Sequence, residues 1–88
     1  MSYKVEFSET ASKQYTKLDK FTQKLIAAYI NKNLNGTDNP RRVGKPLKGS
    51  LRGLWRYETG DYRLVCDIRD NALLILVVKM GHRREVYR

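Results

Sequence analysis

The sequence lacks the features that would place it in a membrane, outside the cell or in a metal-dependent class. Its longest uninterrupted apolar run, residues 72–78, is far shorter than the ~20 residues that a helix needs to cross a bilayer. Residues 1–10 have no apolar stretch of the kind found in signal peptides. The single cysteine, Cys66, permits neither an internal disulfide nor a cysteine-rich zinc site. We therefore expect a cytoplasmic protein with no metal, no cofactor and no membrane attachment.

Acidic residues are scarce, and one long stretch of the chain has none. The nine Asp and Glu residues face eighteen Lys and Arg, which gives a formal net charge of +9, typical of a protein that binds a polyanion. No acidic residue lies between Asn39 and Tyr57, and every arginine follows residue 40. Because a guanidinium can hold a phosphate with two hydrogen bonds, this segregation predicts a phosphate-binding surface in the second half.

The hydrophobic pattern is that of one small α+β domain, and 88 residues suffice for only one. Alternation over residues 2–7 predicts a strand. Ser8 is a good N-cap for a helix that runs to about Leu18, and a second apolar helical stretch ends at Asn35–Gly36. Residues 36–53 are predicted to form a long basic loop, followed by strands at about 54–58, 62–69 and 72–79. We predict a single domain, residues 1–88, whose N-terminal strand and three-stranded antiparallel meander form one sheet packed on a two-helix hairpin.

The turn signals between the last three strands predict a register. A two-residue turn at residues 70–71 would pair Arg63 with Val78, and a similar turn at residues 59–60 would place Arg56 opposite Arg63. Two facing arginines repel each other unless an anion lies between them. Alternation puts both on an open face with Glu58, and the chain after Gly81 is expected to fold back over them. That segment carries His82, Arg83 and Tyr87.

Three segments of the chain resemble the RelE branch of the RelE/ParE toxins of bacterial and archaeal toxin–antitoxin systems. They are Gly53-Leu54-Trp55-Arg56, Gly60-Asp61-Tyr62-Arg63-Leu64-Val65 and Gly81-His82-Arg83-Arg84-Glu85-Val86-Tyr87. The order of predicted elements matches that family over essentially the whole chain. The resemblance implies ribosome-dependent cleavage of mRNA in the decoding site, and therefore inhibition of translation. It also implies a cognate RelB-like antitoxin, through which the complex would bind its operator DNA.

The same resemblance names candidate catalytic residues. The basic residue of the family's first meander strand falls on Arg56, its next arginine on Arg63, its later arginine on Arg83 and its C-terminal tyrosine on Tyr87. A position that is lysine in the best-known members is Glu58 here, which leaves the general base open. Some relatives use a Glu and His pair, which makes Glu58 and His82 substitutes by analogy.

The proposed chemistry needs few groups, because RNA carries its own nucleophile, the 2′-hydroxyl. The protein must orient that group, accept its proton, neutralise the phosphate and protonate the leaving 5′-oxygen. The expected products are a 2′,3′-cyclic phosphate and a 5′-hydroxyl. Arginine is a poor proton donor because its pKa exceeds about 12, so His82, or Arg83 in an unusual environment, is the candidate acid. The candidate RNA-binding residues are Arg41, Arg42, Lys45, Lys48, Arg52 and Arg84.

Two other interpretations remain open at the level of the sequence. ParE-like toxins share the fold and inhibit DNA gyrase by binding it, without catalysis. A basic nucleic-acid-binding module without toxicity is the third. Neither needs the four family positions together. In the toxin interpretation, we expect the antitoxin to be acidic where it meets this chain.

Overall fold

The computed structural model of the protein describes residues 1–85, and it confirms the predicted α+β class. The described part contains a sheet of five strands, one more than predicted, and two α-helices. In chain order the elements are β1 (Lys4–Phe7), α1 (Glu9–Thr16), α2 (Lys20–Tyr29), β2 (Lys45–Pro46), β3 (Trp55–Thr59), β4 (Tyr62–Arg69) and β5 (Leu74–His82). No helix in this part of the chain is both long and apolar enough to span a membrane.

The strands lie in the order β1-β5-β4-β3-β2. β1 runs parallel to β5, and all other neighbours are antiparallel. The predicted meander therefore exists, and the N-terminal strand adds to its β5 edge. The helices cover one face of the sheet. The core between them is formed by residues that include Ala11, Ile26, Leu34, Tyr57, Leu64, Ile75, Val77 and Met80.

The first helix begins at its predicted cap, whereas the cap of the second was not singled out from the sequence. The Ser8 side chain accepts a hydrogen bond from the Ala11 amide, and Asp19 caps α2 by accepting one from the Thr22 amide. Residues 30–34 continue α2 as a π-helical turn, and Gly36 follows with a φ of +87°. A left-handed backbone is readily adopted by glycine, so the chain leaves the helix where the sequence predicted.

The predicted register of the meander is wrong, and the connections between strands explain why. The β4–β5 connection is a 3₁₀ turn, Asp70–Ala72, followed by Leu73 with a φ of +50°, so Arg69 pairs with Leu74. The β3–β4 turn is centred on Gly60 and Asp61, and Arg63 therefore lies opposite Glu58, whereas Arg56 lies opposite Val65.

A β-bulge in β5 adds a second shift. Cys66 pairs with Val77 and Val65 pairs with Lys79, which leaves Val78 as an extra residue between two consecutive pairs. From there to the end of the strand, side chains point to the opposite face from the one that strict alternation predicts. Met80 enters the core, and Arg63 pairs with Gly81 in place of Val78.

The basic loop is more ordered than predicted, because it is tied to β3. It contains β2, and the buried Tyr57 hydroxyl donates to the carbonyl oxygen of Pro40. The Trp55 indole donates to the carbonyl oxygen of Val43 at 2.9 Å. Gly44, with a φ of +81°, passes so close to β3 that a Cβ there would collide with the carbonyl oxygen of Arg56. Only glycine fits this crossing.

Candidate active site

The face of the sheet that the helices leave uncovered, here called the open face, carries three of the six predicted catalytic residues, Arg56, Glu58 and Arg63. Antiparallel partners project to the same side, so one row across the sheet consists of Lys45, Arg56, Val65 and Lys79. The next row, nearer the Gly60–Asp61 turn, consists of Glu58, Arg63 and Gly81. Val65 is fully buried but lies outside the core under the helices.

Arg56, Glu58 and Arg63 form one cluster, which we call the arginine pair with its carboxylate. Glu58 Oε1 lies 3.1 Å from Arg56 Nε, and Glu58 Oε2 lies 3.5 Å from Arg63 Nε. The arginine side chains are 26% and 21% exposed, and that of Glu58 is 38% exposed. The sequence predicted an anion between the two arginines. In the structure, the carboxylate of Glu58 lies between them.

The structure does not bring His82 onto the open face. His82 pairs with Tyr62, and the two rings meet edge to face with centroids 5.7 Å apart. Tyr62 packs against the core, so His82 lies on the helix side of the sheet. Its Nδ1 accepts a hydrogen bond from the backbone amide of Arg84. The sequence analysis expected the chain after Gly81 to fold back over the arginines, whereas β5 continues through His82 and the bulge at Val78 puts that residue on the helix side.

Arg83 lies at the end of the sheet where β4 begins. Its backbone amide donates to the carbonyl oxygen of Asp61 at 2.8 Å, and its Nε lies 3.9 Å from Asp61 Oδ1. Arg83 is exposed, as is Arg84. The predicted position of Tyr87 over the arginines lies outside the described residues.

The predicted RNA-binding residues of the loop fall into two groups. Arg41 and Arg42 are engaged, because Arg41 holds Asp70 with two hydrogen bonds of 3.1 Å and Arg42 lies 2.8 Å from Asp38. Lys45, Lys48 and Arg52 are exposed and make no ion pair with the described part of the chain. Lys45 alone joins the row that contains Arg56.

The sequence interpretation missed Lys79. It is half-buried, lies opposite Val65 on the open face, and forms no ion pair with any described residue. Strict alternation from Ile75 and Val77 would place it under the helices. Only the bulge, which no single-sequence pattern announces, puts it on the open face.

Neither metal nor thiol chemistry is favoured by the residue types at this site. Residues 1–85 contain no group of three or more His, Cys, Asp or Glu side chains arranged to hold a metal ion. Cys66 is fully buried in the core, and its burial raises the pKa of the thiol, which keeps it protonated and inert. The two rows around the arginine pair therefore offer guanidinium and ammonium groups and one carboxylate, that of Glu58.

A small mixed sheet that is covered by a helix pair on one face and exposes an arginine pair on the other defines a small basic α+β domain. Comparison with known proteins identifies the particular family. The sequence model described as the ParE toxin of the type II toxin–antitoxin system parDE matches residues 5–87. The chain therefore belongs to the RelE/ParE family of type II toxins, as the sequence motifs predicted.

Individual relatives carry RelE-type names. The chain is 33% identical over 89 residues to Toxin RelG of Mycobacterium tuberculosis, covering 100% of this chain and 99% of that protein. It is 32% identical to Toxin RelE of the same organism, over 98% of this chain and 87% of the relative.

Solved structures agree with this assignment. The toxin–antitoxin complex RelBE2 of M. tuberculosis matches with a TM-score of 0.84 and 29% identity, over 97% of this chain and 95% of that one. The intact RelBE complex of Escherichia coli matches with a TM-score of 0.74, over 92% and 96%, but at 23% identity this shows the shared fold alone.

Proposed function

We propose that the chain is a ribosome-dependent endoribonuclease, an mRNA interferase that cleaves mRNA in the ribosomal A site and is neutralised by a cognate RelB-like antitoxin. The observation that carries this proposal is the arginine pair with its carboxylate. Two partly exposed guanidiniums within 3.5 Å of one carboxylate form an anion site on an accessible face. A scissile phosphate has the charge and the acceptor oxygens to occupy it.

In the proposed reaction, Arg56 and Arg63 hold the non-bridging oxygens and stabilise the charge that grows on phosphorus. Such preorganised donors contribute several kcal/mol, of the order of 10²–10³-fold in rate each. Glu58, displaced from its ion pairs by the phosphate, accepts the proton of the 2′-hydroxyl. The 2′-oxygen then bonds to phosphorus as the bond to the 5′-oxygen breaks, leaving a 2′,3′-cyclic phosphate and a 5′-hydroxyl. No metal is required for these steps.

The proton for the leaving 5′-oxygen is assigned to the C-terminal segment that contains Arg83 and Tyr87, or to water bound there. His82 is the less suitable donor, because its ring is held against Tyr62 on the other side of the sheet. A donor must come within hydrogen-bond distance of the leaving oxygen.

The similarity to proteins named Toxin RelG and Toxin RelE supports this proposal over the full length of the chain. The likeness to a RelBE2 toxin–antitoxin complex supports a RelB-like partner. Binding of the complex to its operator DNA, through that antitoxin, is part of the same proposal, as is a cytoplasmic site of action.

A second candidate is a ParE-like toxin that inhibits DNA gyrase by binding it. The observation that favours it is the family model itself, whose description names ParE. This candidate gives no role to the arginine pair with its carboxylate, which is why we rank it second.

The deciding experiment is primer extension on an mRNA translated by purified ribosomes, with wild-type protein and single variants. We expect Arg63→Ala to lower the cleavage rate by at least 10²-fold without unfolding the protein. The matched control is Arg69→Ala, which removes the same side chain from the same face of β4 at its other end, where it pairs with Asp67. His82→Gln should retain most of the activity.

Three outcomes would contradict the proposal. A folded Arg63→Ala protein that cleaves at the wild-type rate would remove the arginines from the mechanism. Equal losses in Arg63→Ala and Arg69→Ala would reduce the effect to general charge. Intact mRNA together with inhibition of gyrase supercoiling would establish the second candidate.

A further inference from the structure

The bulge in β5 is a built feature of the sheet. The Ser8 hydroxyl donates to the carbonyl oxygen of Val78 at 2.8 Å, and the Ser8 amide donates to that of Val77 at 2.9 Å. On the other side of the bulge, the Met80 amide donates to the side-chain oxygen of Gln14 at 2.7 Å. Groups from the end of β1 and from α1 thus satisfy the backbone that the bulge takes out of the ladder. Bulges commonly re-aim side chains near active sites.

The side chain that this bulge re-aims is Lys79. It completes the row across the open face in which Arg56 and Lys79 flank Val65. The two flanking residues are two strand spacings apart, about 10 Å between backbones. Val65 is fully buried between them, which fits with the methylene stems of both neighbours lying over it.

The charges of the two rows do not balance. Lys45, Arg56, Arg63 and Lys79 supply four cations, and Glu58 supplies the only carboxylate in these rows. Glu58 is engaged by both arginines, whereas the two lysines have no ion pair with the described residues. Cations held close together on one face, one of them half-buried, are stabilised by a ligand with several negative charges along its length.

We propose that Lys79 binds a phosphodiester next to the scissile one, so that the RNA strand crosses the sheet from Lys45 over Arg56 to Lys79. This inference rests on the proposed function and adds a direction and a second phosphate site to it. Lys79 is a substrate-positioning residue in this scheme. An acidic protein segment is a weaker candidate, because the only apolar residue of the row, Val65, is fully buried and offers it no anchor.

The test measures binding separately from cleavage. The probe is a single-stranded oligoribonucleotide methylated at every 2′-oxygen, which keeps the phosphates and lacks the nucleophile. Its affinity for wild-type protein, Lys79→Gln, Lys79→Arg and Lys24→Gln is measured by fluorescence anisotropy over a range of salt concentrations. Lys24→Gln is the matched control, since it removes one positive charge from an exposed position of α2, the helix layer on the other side of the sheet.

We expect Lys79→Gln to weaken binding about fivefold and to reduce the slope of log affinity against log salt by about 0.7, the value for one phosphate contact on a single strand. Lys79→Arg should restore both. In ribosome-dependent cleavage, Lys79→Gln should raise KM and leave kcat close to wild type. Circular dichroism establishes whether each variant is folded. If Lys79→Gln does not fold, Lys79→Arg keeps the test decisive.

The proposal is overturned if Lys79→Gln binds the probe like Lys24→Gln, if the salt slope is unchanged, or if the wild-type protein does not bind the probe at low salt. A loss confined to affinity for the antitoxin would assign Lys79 to a protein partner instead. Lack of mRNA cleavage by wild-type protein, with probe binding that still depends on Lys79, would refute the proposed nuclease activity while leaving the phosphate site in place.

Discussion

The environment of Glu58 in the structure differs from the one that the sequence predicted. The pattern had Arg56 facing Arg63 across the sheet, but the Gly60–Asp61 turn brings Glu58 opposite Arg63. The carboxylate then lies within 3.1 Å of one guanidinium nitrogen and 3.5 Å of another. It reduces the repulsion between the arginines in the free protein. It also competes with any phosphate for the same donors.

Because Glu58 both competes with the phosphate and is the proposed proton acceptor, Glu58→Gln should have opposite effects on RNA binding and on the cleavage rate. Removal of the negative charge should strengthen binding of the 2′-O-methylated oligoribonucleotide, because the phosphate no longer displaces a carboxylate. The cleavage rate should fall by about 10²-fold or more, because a neutral amide cannot accept the 2′-hydroxyl proton. Binding by anisotropy and single-turnover cleavage on ribosomes measure the two quantities.

Asp67→Asn is the control for Glu58→Gln. Asp67, on β4, also lies on the open face of the sheet, but it pairs with Arg69. It should alter neither quantity by more than a small factor. If Glu58→Gln cleaves at the wild-type rate, Glu58 is not the proton acceptor. Weaker probe binding by Glu58→Gln would show that the carboxylate orders the arginines rather than competing with the phosphate.

The sequence predicted Arg56, Glu58 and Arg63 as neighbours because alternation within two short strands is local information. It expected His82 to fold back over the arginines after Gly81, whereas β5 continues through His82. It missed Lys79 because of the extra residue in β5, Val78. That extra residue is stabilised by Ser8 and Gln14, which are about 65 to 70 positions away in the chain. A pattern read along one strand contains no trace of such partners.

At the scale of elements, the helices and the meander were predictable and their connections were not. Ser8 caps α1 as expected, and β4 spans the predicted residues 62–69. The connection between β4 and β5 was expected to be a two-residue turn. In the structure it is a 3₁₀ turn followed by Leu73, and Asp70 in this turn takes part in a tertiary contact. Its carboxylate accepts two hydrogen bonds from Arg41 and one from the Tyr3 hydroxyl, at 2.6 Å.

This contact, which joins three segments far apart in the chain, predicts a pH-dependent stability. The hydrogen bonds from Arg41, and then from Tyr3, lower the pKa of Asp70 below its usual value. A carboxyl whose pKa is lower in the folded state stabilises the protein above its unfolded-state pKa, about 3.9, and the effect is lost as the pH falls through the folded value. We expect Asp70→Asn to lower Tm by a few degrees at neutral pH, with the difference shrinking in acid.

The control for Asp70→Asn is Asp38→Asn. Asp38 is also an exposed carboxylate paired with an arginine, but its partner Arg42 is only four residues away. A local pair of this kind contributes little to the stability of the whole fold. Thermal unfolding followed by circular dichroism across the pH range makes the comparison. Equal Tm values for Asp70→Asn and wild type at neutral pH would show that this contact contributes nothing measurable to the stability of the fold.

At the scale of the whole molecule, the basic residues fall into two groups, those paired with a carboxylate within the fold and those without such a partner in the described part. Some of the loop cations that the sequence assigned to RNA are used within the fold, as Arg41 and Arg42 show. The cations left without an acidic partner in the described part include Lys45 and Lys79 beside the arginine pair, and Lys48 and Arg52 in the segment between β2 and β3. Near the proposed catalytic groups, the open face thus carries positive charge that the carboxylate of Glu58 does not balance.

That field predicts how the proposed antitoxin finds the toxin. An acidic antitoxin segment that covers the open face should associate at a rate that falls steeply with salt, whereas its dissociation rate should depend on salt only weakly. The double variant Lys45→Gln/Lys79→Gln should associate more slowly and show a shallower salt dependence, and Lys20→Gln/Lys24→Gln, which removes two charges from α2, should not. Stopped-flow or surface-based kinetics of the purified pair measure both rates.

An antitoxin that covers this face must also block ribosome-dependent cleavage in proportion to its occupancy, since the RNA and the acidic segment need the same cations. Association that is insensitive to salt, or a saturated complex that still cleaves mRNA, would place the antitoxin on another surface and would require neutralisation by a different route.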